Sequence, residues 1–176
     1  CYRRGFDLKV VSGVLPQEAA SYLNIETIET SAEMAQASNS FLEKKSADIV
    51  FFAAAVLDFE VKTKLSGKKP STETQWSVDL EASEKLIDQI GLKSLVRVGF
   101  KLESGLDSNE LLNRLSEWSK RHQVDLICGN RKEDVSQSQH IASIFDVETQ
   151  HSISIESKAR VASQLVDSAL QKYIQK

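Results

Sequence analysis

Little in this sequence could cross-link the chain, hold a metal or anchor it in a bilayer. It has two cysteines, Cys1 and Cys128, in 176 residues, too few for a disulfide framework or a cysteine zinc cluster. Cys128 falls in the apolar run of VDLICGN and reads as a reduced, buried thiol of a cytoplasmic protein. The three histidines, His122, His140 and His151, stand at no metal-ligand spacing, so no metal cage built from side chains is expected. No apolar run reaches the ~20 residues of a membrane-spanning helix, and no secretory signal is expected. Positive charge is not in excess either. Lys and Arg number 22 against 25 Asp and Glu, a net charge of −3, which argues against a general nucleic-acid binder. Any anion site must therefore be local. With two prolines and seven glycines, no linker divides the chain, and neither repeats nor low-complexity tracts occur. One domain over residues 1–176 is expected.

What is present is an alternation of strand-like and helix-like segments. YRRGFD reads as the end of a helix stopped by Gly5, so the start of a larger domain is expected before Cys1. LKVVS and IETI are short strands, and TSAE starting at Thr30 is a capping box for a helix with Met34, Ala37, Phe41 and Leu42 on its apolar face. The continuous apolar run Asp48–Ala55 marks a strand covered on both faces. TQWSVDL alternates like an edge strand, and Ser83–Ile90 reads as a helix closed by Gly91. LVRVGF and VDLICGN are strands on either side of the helix Asp107–His122. HIASIFDV and HSISIE form a hairpin turning near Glu148–Gln150, and Ser157–Tyr173 is a closing amphipathic helix. The fold class is α/β: a Rossmann-like three-layer arrangement with a mostly parallel central sheet and a late antiparallel hairpin.

Parallel sheets of this kind bind ligands beyond the carboxyl ends of their strands. Three strand ends carry suitable residues: AAAVLD, VGFKLES and DLICGN. Small residues at Ala53, Ala54, Ala55, Gly99 and Gly129 would let a flat ligand approach the backbone. Asp58 and Asn130 suit sugar hydroxyls or a base edge, and Phe100 offers a packing face. Just past Asp58 comes a lysine-rich loop with Lys62, Lys64, Lys68 and Lys69. Each feature has a structural explanation of its own, tight packing or a solvated loop. Together, at one end of the sheet, they point to a nucleotide- or phosphate-binding domain.

The order VVSG, TSAEM, AAAVLDF, lysine-rich loop, VGFKLES and DLICGN resembles the phosphopantothenate-cysteine ligase family, the CoaB-type phosphopantothenoylcysteine synthetase domains of coenzyme A biosynthesis. The similarity runs from Arg3 onward, without a counterpart of the family's N-terminal strand and glycine-rich loop. It implies a two-step ligation. The carboxylate of 4'-phosphopantothenate attacks the α-phosphate of CTP (or ATP), releasing pyrophosphate, and the amine of cysteine then displaces CMP from the acyl-cytidylate. Magnesium would accompany the triphosphate.

By the same resemblance Lys68, with Lys69 in reserve, is the catalytic cation on a flap over the acyl-phosphate. Ala54, Ala55, Asp58, Phe100 and Asn130 would contact the nucleotide. The triphosphate lysines of the family align with Trp118 and His122, leaving Lys120, Arg121 and His122 as the triphosphate candidates. A homodimer and a fused flavin-dependent decarboxylase domain are further expectations. Pro70 and Ser71 depart from the usual lysine signature, and Ala82-Ser83-Glu84 replaces an Asn-Pro-Asp. Those departures keep two alternatives open: a catalytically weakened nucleotide- or partner-binding relative, and an unrelated nucleotide-dependent α/β enzyme. A reductase of the latter kind would want a glycine-rich turn after its first strand.

Overall fold

The structure, a computed structural model, describes residues 1–13, 21–63, 66–67, 75–91, 96–137 and 139–176. Its elements run β1 (Lys9–Ser12), β2 (Asn24–Thr27), α1 (Ser31–Lys44), β3 (Ile49–Phe52), β4 (Phe59–Val61), β5 (Leu80–Ala82), α2 (Leu86–Gln89), β6 (Val96–Glu103), α3 (Ser108–His122), β7 (Leu126–Arg131), β8 (Ile141–Asp146), β9 (His151–Glu156) and α4 (Lys158–Gln175). A 3-10 turn, Tyr2–Arg4, precedes them and stops at Gly5 with φ of 76°, a left-handed conformation that glycine adopts without penalty.

The main sheet has the strand order β3-β6-β7-β8-β9. The first three are parallel, and β8 and β9 join antiparallel, as the alternation of the sequence predicts. Strand periodicity sorts its side chains into two cores. Val96, Val98, Leu126, Cys128, Ala142 and Ile144 face one way and pack under Val161, Leu165 and Ala169 of α4. Ile127 and Phe145 face the other way, against Leu111 and Leu115 of α3. Each fully buried Leu, such as Leu115 at 0% exposure, contributes roughly 1.5–3 kcal/mol. Two smaller pairings flank the sheet, β1 parallel to β2 and β4 antiparallel to β5.

The helices begin where their caps dictate. Thr30 accepts from Glu33 N while the Glu33 side chain accepts from Thr30 N; Asp107 and Glu110 make the same reciprocal pair on α3. Ser83–Ile90, by contrast, shrinks to the single turn of α2. Its preceding residue, Lys85, supplies no capping side chain, and so short a helix does not hold itself. Neighbours hold it instead: Asn39 donates to Gln89 O at 2.9 Å and accepts from Gly91 N at 3.1 Å. Of the strand expected over TQWSVDL, only Leu80 among the described residues enters a ladder, as the first residue of Leu80–Ala82.

Gly99 and Gly129, expected to open the backbone to a ligand, serve the helix–sheet interface. A Cβ on Gly99 would stand 2.6 Å from Trp118 Cζ3, and one on Gly129 would strike the Leu115 side chain. Both Trp118 and Leu115 belong to α3, so these glycines let that helix settle close onto β6 and β7.

Candidate active site

The site forms because β3 stops early. Phe52, its last residue, lies opposite Gly99 in β6, while β6 continues to Glu103. The chain leaves the sheet through Ala53, Ala54 and Ala55, all exposed, and a cleft of about 310 Å³ opens there. Its lining is Phe52, Ala54, Ala55, Val56 and Asp58 from this departing segment, Lys85, Leu86 and Ile87 around α2, Phe100, Lys101 and Leu102 from β6, and Trp118 from α3. Ala54, Ala55, Asp58 and Phe100, four of the residues singled out in the sequence, therefore meet in one place.

The cleft is apolar below and charged at its rim. The Trp118 ring packs at a tilt of 46° against His122 with centroids 4.6 Å apart, and Phe52 lies under the Arg97 guanidinium at 4.9 Å. At the rim the Lys85 ammonium donates to the Asp58 carboxylate. That hydrogen bond, with the attraction of Lys85 and the weaker field of Lys101, holds the Asp58 carboxyl below the usual carboxylate range. Lys101 also pairs with Glu103 at 3.5 Å. Ser83 N donates to Asp58 O at 3.0 Å, which ties the segment before α2 to the one after β3.

Beneath the cleft Arg97 fixes its wall. This side chain, 3% exposed, donates from Nη2 to Ile87 O at 2.5 Å, from Nη1 to Ile90 O at 3.1 Å and from Nε to Gln123 O at 3.1 Å. Burial lowers its pKa, with Asp88 and Asp125 acting against that shift. Three backbone carbonyls thus converge on one cation in place of a direct carboxylate partner.

Other candidates lie elsewhere. Asn130 sits in β7 and donates from Nδ2 to Ile141 O at 2.6 Å, holding the start of the hairpin rather than lining the cleft. Lys120 and Arg121 are exposed on the last turn of α3 and line no part of the cleft. His122 is 5% exposed, and its Nδ1 lies 2.8 Å from Asp88 Oδ1, so it braces α3 against α2. Lys68 and Lys69 lie outside the described residues. The pairing of β4 with β5 begins directly after Asp58, and Lys62 N bonds to Asp79 O at 3.0 Å.

Lys85, Lys101, Trp118 and Arg97 were not singled out for this cleft from the sequence. Lys101 carried a usable signal, since it directly follows the cleft residue Phe100 in VGFKLES. Nothing in the pattern around Lys85 shows that a one-turn helix brings it back to Asp58. Among the described residues no three His, Cys, Asp or Glu side chains gather as a metal site. No helix among the described residues is long and apolar enough to cross a membrane.

Comparisons with known proteins agree with this fold. A family model for the DNA/pantothenate metabolism flavoprotein C-terminal domain matches residues 1–173. The coenzyme A biosynthesis bifunctional protein CoaBC of Thermococcus kodakarensis is 35% identical over 118 residues, 66% of this chain and 28% of that protein. Its namesake in Methanocaldococcus jannaschii is 30% identical over 131 residues, covering 73% of this chain and 31% of that one. The chain thus spans less than a third of these curated relatives. A solved structure, the DNA/pantothenate metabolism flavoprotein from Streptococcus pneumoniae, superposes with a TM-score of 0.82 at 18% identity, over 98% of this chain and 83% of the other. At that identity the likeness is one of fold.

Proposed function

Because this chain belongs to the family of the DNA/pantothenate metabolism flavoprotein C-terminal domain, we propose that it works in coenzyme A biosynthesis as the domain that joins 4'-phosphopantothenate to cysteine. The observation that carries this reading is the cleft at the end of β3, which Ala54, Ala55, Asp58, Phe100 and Trp118 all line. A base can lie against Trp118, with backbone groups at Ala54, Ala55 and Phe100 at its edge and Asp58 accepting from ribose hydroxyls. CTP, or ATP in its place, is the co-substrate, and magnesium travels with its phosphates.

In the first step the phosphopantothenate carboxylate attacks the α-phosphorus, the P–O bond to the β-phosphate breaks, and pyrophosphate leaves. In the second, the cysteine amine attacks the acyl carbon, loses a proton and expels CMP. The first step brings two anions together and the second builds negative charge on the departing CMP, and cations must offset that charge. Lys68, with Lys69 beside it in sequence, is the proposed source from the segment between β4 and β5.

The test is turnover of CTP with phosphopantothenate and cysteine, following pyrophosphate and CMP. Substrate-dependent release of both is expected, and Lys68→Gln should lower turnover at least tenfold while nucleotide affinity changes less than threefold. Full turnover in that variant removes Lys68 from the mechanism. A second reading, a relative that binds nucleotide with little turnover, is favoured by one observation: His122 is committed to Asp88, not to the cleft. Nucleotide binding without pyrophosphate release would select it.

A further inference from the structure

Two lysines that the proposed ligation does not yet use line the cleft. Lys85 approaches from the turn before α2 and Lys101 from β6, with Asp58 at the same rim. Each ammonium is held by one carboxylate: Lys85 by Asp58, and Lys101 by Glu103 at 3.5 Å. An ammonium carries three donors, so a single carboxylate leaves donors on each that can turn to a further anion. They are also positioned where a phosphate would need them. The apolar floor of Phe52, Ile87 and Trp118 suits a base, while the rim is the charged part of the lining.

We propose that Lys85 and Lys101 form a two-point clamp for the polyphosphate of the nucleoside triphosphate. This assignment rests on the nucleotide reading of the cleft and deepens it. Asp58 then has two roles. In the empty cleft it holds Lys85 in place; in the loaded cleft it turns toward the sugar hydroxyls as Lys85 swings onto phosphate. The clamp makes affinity depend on the number of phosphates and on ionic strength, because rim charges are screened by salt. The other phosphorylated substrate, phosphopantothenate, offers the same chemistry, and the clamp is assigned to the nucleotide because its lysines flank the pocket that would hold the base.

Titration calorimetry of the chain with CTP, cytidine and phosphopantothenate separates the possibilities. The unsubstituted chain should bind CTP at least tenfold more tightly than cytidine, and the preference should shrink between 50 mM and 500 mM salt. Lys85→Gln and Lys101→Gln should each weaken CTP about fivefold or more, leave cytidine within twofold, and leave the thermal midpoint unchanged. Lys85→Arg should keep most of the affinity. An unchanged CTP-to-cytidine ratio in both glutamine variants overturns the clamp, as does an equal loss for both ligands. Loss of phosphopantothenate affinity alone overturns it too and moves the lysines to the other substrate. If the unsubstituted chain binds neither CTP nor cytidine, the nucleotide reading falls with the clamp; if it binds cytidine as well as CTP, only the clamp falls.

Discussion

Replacing Arg97 with methionine keeps much of the side chain's length and removes its charge, so it isolates what the guanidinium does. The three carbonyls it serves, Ile87 O, Ile90 O and Gln123 O, belong to the backbone and cannot be removed along with it. That distinguishes this site from buried ion pairs, where exchanging both partners for apolar groups is often harmless. Ile87 and Ile90 are buried, and each of their carbonyls left without a donor costs roughly 1–3 kcal/mol, whereas Gln123 is exposed. Partial rescue by water and relief of the buried cation's desolvation reduce the total, and ~3 to 5 kcal/mol remains as the expected loss. Losing the charge above Phe52, 4.9 Å from its centroid, adds up to about 2 kcal/mol. For a chain of this size each kcal/mol lowers the melting temperature by about 2–4 °C, so ~3 to 5 kcal/mol predicts a drop of about 6–20 °C by circular dichroism. Guanidinium denaturation with an unchanged m-value would assign the loss to stability rather than to a looser denatured state. Arg97→Lys should fall between the two, because one ammonium cannot reproduce a planar fork. A loss below about 1 kcal/mol for Arg97→Met would refute the reasoning, since the carbonyls would then have other partners.

Two further perturbations address the cleft and the surface. Gly99→Ala places a Cβ 2.6 Å from Trp118; overpacking of this kind costs roughly 1–3 kcal/mol, and the displaced ring should weaken CTP binding measured calorimetrically. Wild-type melting and affinity together would show that Trp118 moves aside freely. We also propose that the arm β4–β5 is covered in a homodimer, because Leu57, Phe59 and Leu80 are 70%, 59% and 58% exposed in the single chain. Sedimentation equilibrium at micromolar concentration should give twice the chain mass, and Phe59→Asp with Leu80→Asp should halve it; a monomeric unsubstituted chain contradicts this.

The sheet was legible in the sequence because its signals are local. Runs such as LVRVGF and DLICGN, and the caps at Thr30 and Asp107, depend on residues within a few positions of one another. The site was half legible for the same reason: Ala54, Ala55, Asp58 and Phe100 mark strand ends. What the pattern could not show is contact between distant segments. Arg97 reads as one polar residue in a strand, and only the fold shows that Ile87, Ile90 and Gln123 turn their carbonyls toward it. Gly99 and Gly129 have two physical uses, close approach by a ligand or by a helix, and only the seating of α3 decides between them. His122 looked like an available cation until α2 brought Asp88 against its ring.

The strand order has a consequence for how the chain reaches this state. From β6 to β9 each strand lies beside the next one in sequence, and even its longest connection, the α3 crossover that joins Val98 to Leu126, is shorter than the one to β3, so that part of the sheet can form early. Pairing β3 with β6 joins Ile49 to Val96 across a long intervening segment and should come later. The cleft needs that last pairing, since Phe52 and the alanines after it arrive with β3. Pulse-labelled hydrogen exchange during refolding should therefore protect the amides of β7 and β8 before those of β3, and simultaneous protection would contradict this order. The binding surface would then be the last part of the molecule to exist during folding, so a chain stalled partway would hold most of its sheet and none of its capacity to bind a nucleotide.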